Sequence, residues 1–351
     1  MKVYIVQSGI FKPWTNPYTR TLINGINSQF DDVHWGEGLD LLWTDEVFEY
    51  DIVHFMWPEE LSKKHSEEQI RKRILLLKSH GLKIVSTCHN LNQHYSNSNK
   101  SKVIYDIVYC NSDLIFHLGN YSLSLFKEKY GNANNVLLPH QILDQFYKKL
   151  PTKEEAKRKL HLKPNTKYIL CFGQFRNKEE QKLVIMAAEK IHSEEVEFLA
   201  PRFSSIPKGK NIFKKIRPFA DLILFKMRYP YIKMSGLMVS QNDIPYYFTA
   251  CDIVMIQRVH ILNSGNLPMA MFMGNVVCGP SCGNVGDILS ETNNPTFDPE
   301  DSSSVANALR QSLILASEGK GTQNRKYALE QWNTNRISAM MYNSYVNIIN
   351  K

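Results

Sequence analysis

No stretch of this 351-residue chain approaches the roughly 18 consecutive apolar residues that a membrane-crossing helix needs, so the expectation is a chain that does not span a bilayer. Its six cysteines, at 88, 110, 171, 251, 278 and 282, make no CxxC pair, and Cys278 and Cys282 have the wrong neighbours for a zinc site. Most sit in apolar surroundings, so they read as reduced, mainly buried thiols, and a reducing, cytoplasmic compartment is expected. The opening run MKVYIVQSGIF is too short for a signal-peptide core and lacks a cleavage site, so it reads as a first strand. Internal repeats and low-complexity tracts are also missing.

What remains is an ordinary globular composition, 43% hydrophobic and 22% charged, on a chain long enough for two α/β domains. Short runs rich in Val, Ile and Leu mark buried parallel strands at Lys2–Val6, Ile52–Phe55, Lys83–Thr87, Asp113–Phe116 and Asn135–Leu138. Helical patterns lie between them, one from about Thr19 and one over Ser66–His80. The polar stretch Lys148–Lys167 then carries many charges and two prolines, and places a junction there. Alternation restarts with strand Tyr168–Phe172, helix Glu180–Ile191 and strand Val196–Ala200. It ends with strand Ile253–Gln257, helix Leu267–Met273, strand Val276–Gly279 and a terminal helix over 325–349. Such alternation predicts doubly wound α/β domains over 1–150 and 151–351.

The net charge of +8 is concentrated. Between Phe203 and Gly236, Lys208, Lys210, Lys214, Lys215, Arg217, Lys226, Arg228 and Lys233 face a single acid, Asp221, so 203–236 reads as a basic insertion. Bulky apolar residues, among them Phe213, Ile216, Phe219, Leu222, Leu224, Phe225 and Met227, alternate with the cations. Pro218 and Pro230 break the segment into pieces. The mixture suits docking on an anionic membrane surface through 208–233, which would make the protein peripheral on the inner face of the plasma membrane. Packing of the apolar residues into the second domain is the plainer reading. Nucleic-acid binding through the cations and Phe213, Phe219 and Phe225 is an alternative, though no nucleic acid is expected.

Three segments carry candidate chemistry. In Asn263-Ser264-Gly265-Asn266-Leu267-Pro268, Pro268 suits a first helical turn, Asn266 reads as its cap and Gly274 as its end. A helix N-terminus preceded by Ser-Gly-Asn is an anion site, although ordinary capped helices look the same. In Phe172–Lys178, Gly173 lies where a strand meets a loop, and Arg176 and Lys178 follow with charges that could hold a diphosphate. In Ser86–Asn90, His89 and Asn90 end a strand of the first domain; a lone His is more often structural. The long first loop, Gly9–Tyr18, adds Trp14 and Tyr18, which could stack on a sugar or on one another.

Taken together, these segments resemble the GT-B glycosyltransferases, and among them glycosyltransferase family 4. Asp51–Pro58 is similar to a family strand ending in His-x-Trp-Pro, and Thr87-Cys88-His89-Asn90 to its Thr-His-His-Asn. Leu138-Pro139-His140 resembles the Pro-His before the linker, and Lys153–Leu162 the linker helix. Phe172–Lys178 resembles the Phe-Gly-x-x-Arg loop that grips the donor diphosphate. Ala250–Ile253, Leu267-Pro268 and Gly274–Val277 resemble the strand start and donor helix. The order of these matches over nearly the whole chain, rather than any one of them, carries the resemblance.

The resemblance implies two Rossmann-like domains facing across a cleft, with acceptor binding in the first and the donor in the second. It implies a nucleotide diphosphate sugar as donor substrate, no separate cofactor, no metal, and a glycan or lipid-linked acceptor in cell-surface polysaccharide synthesis. Gly173, Arg176, Lys178, Ser264, Gly265, Asn266 and Leu267 would hold the donor. Arg176 and Lys178 would also stabilise the departing diphosphate, with His89 near the donor sugar. No DxD-like acidic pair stands in a matching place. The family's two Glu residues are replaced by Asn263 and Met271, and Met271 cannot bind a ribose as the second Glu does. That departure keeps open a catalytically inactive scaffold, and a nucleotide-sugar epimerase is a further alternative on the same fold.

Overall fold

A computed structural model describes residues 1–12, 15–91, 99–203, 223–234 and 238–350. They form two compact units, Met1–Phe146 with Gln331–Lys351, and Tyr147–Glu330.

The first unit is built on a six-stranded parallel sheet. Its strands are β1 (Lys2–Val6), β2 (His34–Gly38), β3 (Ile52–Phe55), β4 (Lys83–Cys88), β5 (Leu114–His117) and β6 (Asn134–Leu137), in the order β2-β1-β3-β4-β5-β6. The period of two along a strand divides β1 between two cores. Val3 and Ile5 pack with Leu22 and Ile26 of helix α1 (Tyr18–Asn27) and with Ile337, Met341 and Tyr345. Tyr4 and Val6 face Ile70 and Ile74 of α2 (Glu67–Ser79) and Ile104 and Val108 of α3 (Asn99–Asn111). Ser66 begins α2 with a reciprocal capping box to Gln69. Helix α4 (Asn120–Lys129) joins β5 to β6.

The second unit repeats the plan. Its strands are β7 (Lys167–Leu170), β8 (Val196–Leu199), β9 (Ile232–Lys233), β10 (Ile253–Met255), β11 (Val276–Pro280) and β12 (Thr296–Phe297), all parallel, in the order β12-β11-β10-β7-β8-β9. Its helices are α5 (Lys153–Lys159), α6 (Lys178–Ile191), α7 (residues 223–228), α8 (Ile244–Ala250), α9 (Asn266–Met273), α10 (Gly283–Glu291), α11 (Ser302–Ser317) and α12 (Lys320–Gln331). Both units are Rossmann-like, with parallel strands covered by helices. In the second, the strand order reverses between β7 and β10, and the loops leaving their carboxyl ends flank the point where open α/β sheets bind ligands.

Three expectations change. The terminal helix over 325–349 is two helices, α12 and α13 (Thr334–Ile349). Residues 332 and 333 separate them in sequence; Trp332 is buried, and Asn333 caps α13 by accepting the Arg336 N–H at 2.9 Å. The last 21 residues group with the first unit rather than with 151–330, because Ile337, Met341, Tyr345 and Ile348 fill its core. The basic insertion contributes an edge strand, β9, paired to β8. Lys208, Lys210, Lys214, Lys215 and Arg217, with Phe213, Ile216, Phe219 and Leu222, lie outside the described residues, as does Trp14.

Candidate functional site

The loop after β7 starts at Phe172 and ends where Asn177 caps α6, accepting the Glu180 N–H at 2.9 Å. Gly173 adopts φ +95, a backbone conformation that L side chains rarely tolerate. Arg176 and Lys178 are exposed at the end of this loop. Lys178 is the first residue of α6, where the helix dipole disfavours a cation and favours an anion beside it.

The second candidate segment meets this loop. Gly265, not Asn266, is the N-cap of α9, and it supplies no side chain to cap the helix; no acid lies in the first turn. Asn266 has a different partner because its amide donor reaches a loop carbonyl: Nδ2 donates to Phe172 O at 2.9 Å. A Cβ on Gly173 would lie 3.7 Å from that same nitrogen. Leu267 is buried and anchors the helix, and Ser264 O accepts the Leu267 N–H at 3.1 Å. Thus Gly173, Arg176, Lys178, Ser264, Gly265, Asn266 and Leu267 belong to two adjoining segments, with an uncapped helix N-terminus beside a loop bearing two cations.

Sequence reasoning missed what lies beneath. Arg258, just past β10, is buried and ion-paired to the fully buried Glu180; its Nη1 also donates to Gln174 O at 3.1 Å. The Glu180 carboxylate accepts the Arg176 backbone N–H at 2.8 Å as well. Gln257 Nε2 donates to Phe172 O at 3.0 Å. Removing one partner of such a buried pair leaves an uncompensated charge, a loss of about 3–5 kcal/mol. The one available signal was an Arg two residues past the apolar run Ile253–Ile256.

His89 belongs to the first unit and has its own setting. Its ring stacks on Trp57 at 4.7 Å and meets the edge of Tyr18 at 4.9 Å. Burial, reinforced by His140 and His54, pushes its pKa well below the ordinary range, so it is a neutral ring and a weak proton acceptor. Nearby, His54 is wholly buried, with Nδ1 2.6 Å from Tyr345 Oη and Nε2 2.8 Å from Thr87 Oγ1. Thr87 donates to the Met56 sulfur, so it accepts from His54 Nε2–H, and Tyr345 donates to Nδ1.

No protein-family model matches the chain, and neither does any curated protein sequence. Solved structures do match. Sucrose-phosphate synthase of Thermosynechococcus elongatus is 13% identical over 99% of this chain and 98% of that one, with a TM-score of 0.70. HepE of Anabaena in complex with UDP is 14% identical over 99% of both chains, with a TM-score of 0.71. UDP-GlcNAc 2-epimerase of Neisseria meningitidis bound to UDP-GlcNAc is 12% identical over 99% of this chain and all of that one, with a TM-score of 0.60. The fold is GT-B.

Within this GT-B chain, the departures at 263 and 271 acquire structural content. Met271 is fully buried among the apolar residues of α9. Asn263 Oδ1 accepts from Nδ2 of the buried Asn284, at the start of α10, at 2.7 Å. Among the described residues, no group of three or more His, Cys, Asp or Glu is placed to hold a metal ion, and no helix is long and apolar enough to cross a membrane.

Proposed function

We propose that this protein is a glycosyltransferase of the family 4 type, moving a hexosyl group from a nucleotide diphosphate sugar to a glycan or lipid-linked acceptor. The observation that carries the reading is the junction of Asn266 with Phe172, which sets an uncapped helix N-terminus beside the loop of Arg176 and Lys178. Negative charge builds on the departing diphosphate as the sugar approaches an oxocarbenium-like state. The two cations and the helix N–H groups supply fixed positive potential where that charge develops, so no divalent metal is required. That solved structures of this fold carry UDP or UDP-glucose adds support. His89, neutral at working pH, would contribute a hydrogen bond to the donor sugar rather than abstract a proton.

A peripheral membrane site, and with it a role in cell-surface polysaccharide synthesis, is supported by helix α7. Phe225 is held to the core by Phe203 and Tyr229, at 4.6 and 4.8 Å, while Leu224 and Met227 are 63% and 74% exposed beside Lys226 and Arg228. Exposed bulky apolar residues flanked by cations suit an interface with anionic lipid on the cytoplasmic face.

The likeness to a UDP-GlcNAc 2-epimerase favours one competing reading, isomerisation of the donor without an acceptor. Incubation with nucleotide sugars in EDTA, with and without cell-envelope lipid and glycan acceptors, separates the two. Acceptor-dependent release of nucleoside diphosphate supports transfer. A changed sugar on an intact donor would establish the epimerase instead.

A further inference from the structure

We propose that Arg258 is a positioning residue: its buried pair with Glu180 sets the backbone of the 172–177 loop so that Arg176 is held ready for the donor phosphates. The inference rests on the reading of that loop as a donor site.

The geometry runs through a single carboxylate. Glu180 accepts from the Arg258 guanidinium and from the Arg176 backbone N–H, so the loop residue that bears the functional cation is fixed at its own amide. Arg258 grips the loop a second time through Gln174 O, two residues earlier. A planar guanidinium can make both contacts at fixed angles, whereas a lysine ammonium is a single point of charge. The other terminal nitrogen, Nη2, lies 3.6 Å from where a Cβ on Gly173 would sit, so the same side chain reaches the positive-φ glycine near the start of the loop. Gln257, its neighbour in sequence, holds Phe172 O. Two consecutive residues past β10 therefore reach the loop at Phe172, Gln174 and, through Glu180, Arg176.

Packing alone does not ask for this arrangement. Apolar residues of similar volume fill such a space as well as a buried ion pair does. Replacing the pair with Met and Leu would leave the Arg176 amide and Gln174 carbonyl without these partners. The charged pair thus supplies direction, which a catalytic loop needs and a core does not.

The test compares wild type, Arg258→Met, Arg258→Lys and the charge-free double variant Arg258→Met/Glu180→Gln, each alone and combined with Arg176→Ala. The double variant contains no unpaired buried charge, so it stays folded should Arg258→Met fail. Hydrogen exchange of peptides covering 172–180 is read against peptides from β8, and dissociation constants are measured for UDP, GDP and ADP. Loop exchange should rise about tenfold or more in the Met variants while β8 is unchanged, with partial recovery in Arg258→Lys. Binding of the preferred nucleotide should weaken about tenfold, and Arg176→Ala should add less than about twofold to that loss, because both changes remove one interaction. Unchanged loop exchange, or losses that multiply in full, would overturn the positioning role. Faster loop exchange in a protein whose wild type binds no nucleotide would instead refute the donor-site reading and leave the loop contact standing.

Discussion

The side-chain amide of Asn266 lies 2.9 Å from the carbonyl oxygen of Phe172, joining two segments 94 residues apart in sequence. The bond ties the first residue of α9 to the loop that follows β7, so the helix N-terminus and the cation-bearing loop keep a fixed relation. Asn266→Ala removes a donor from a part-buried carbonyl that Gln257 also serves, and the expected loss of stability is about 1 kcal/mol. Nucleotide affinity should fall further than stability does, because the change also frees one side of the site. Chemical denaturation and nucleotide titration of the same variant check this. An affinity equal to wild type would show that the junction does not shape the site.

Gly283 opens α10 next to Asn284, and a Cβ there would stand 2.3 Å from the Ile261 carbonyl oxygen, in a backbone with φ +60. Backbone cannot move aside as the end of a long side chain can. Gly283→Ala should therefore destabilise the second unit by about 3 kcal/mol or more. A midpoint of denaturant unfolding within error of wild type would contradict the close approach.

The buried histidines of the first unit make its stability depend on pH. Desolvation pushes the pKa of His54 down to about 3 and that of half-buried His140 to about 4, from 6.5 for the unperturbed group. As pH falls below 6.5 the unfolded chain takes up these protons and the folded chain does not. Stability is thus fully present above pH 6.5 and lost progressively towards pH 4. Each such group contributes a slope of up to about 1.4 kcal/mol per pH unit. Unfolding midpoints at pH 7 and pH 5 should differ, and His54→Gln, which keeps a donor and an acceptor, should reduce the difference. Equal pH dependence in wild type and variant would remove His54 from the account.

Membrane docking predicts that the protein pellets with vesicles rich in anionic lipid at low salt. Leu224→Ser together with Met227→Ser should release it, since both side chains are exposed and neither supports the core. Wild-type protein that stays in the supernatant would end the membrane role.

Much of the architecture was legible because buried parallel strands are nearly uninterrupted apolar runs. Ile52–Phe55, Lys83–Cys88 and Leu114–His117 have their interior residues covered on both faces and could be read directly. His34–Gly38, with sequence HWGEG, could not, because an edge strand with exposed residues carries no such run. Ile232–Lys233 is two residues long and exists through its pairing with Phe198 and Leu199. The candidate site divides in the same way. Gly173 and the Ser264–Asn266 turn announce themselves by residue type. The Arg258–Glu180 pair does not, because its two members are 78 residues apart and gain meaning only when β7 and β10 lie side by side.

The central claim is that the second unit binds a nucleoside diphosphate at the Phe172–Lys178 loop and the α9 N-terminus. Calorimetric titration of wild type and Arg176→Ala with UDP, GDP and ADP, in EDTA, tests it most directly. Saturable binding of at least one nucleotide by wild type is expected, weakened about tenfold or more in Arg176→Ala by the loss of a charge-assisted phosphate contact. No binding by wild type, or equal affinity in the variant, would contradict it.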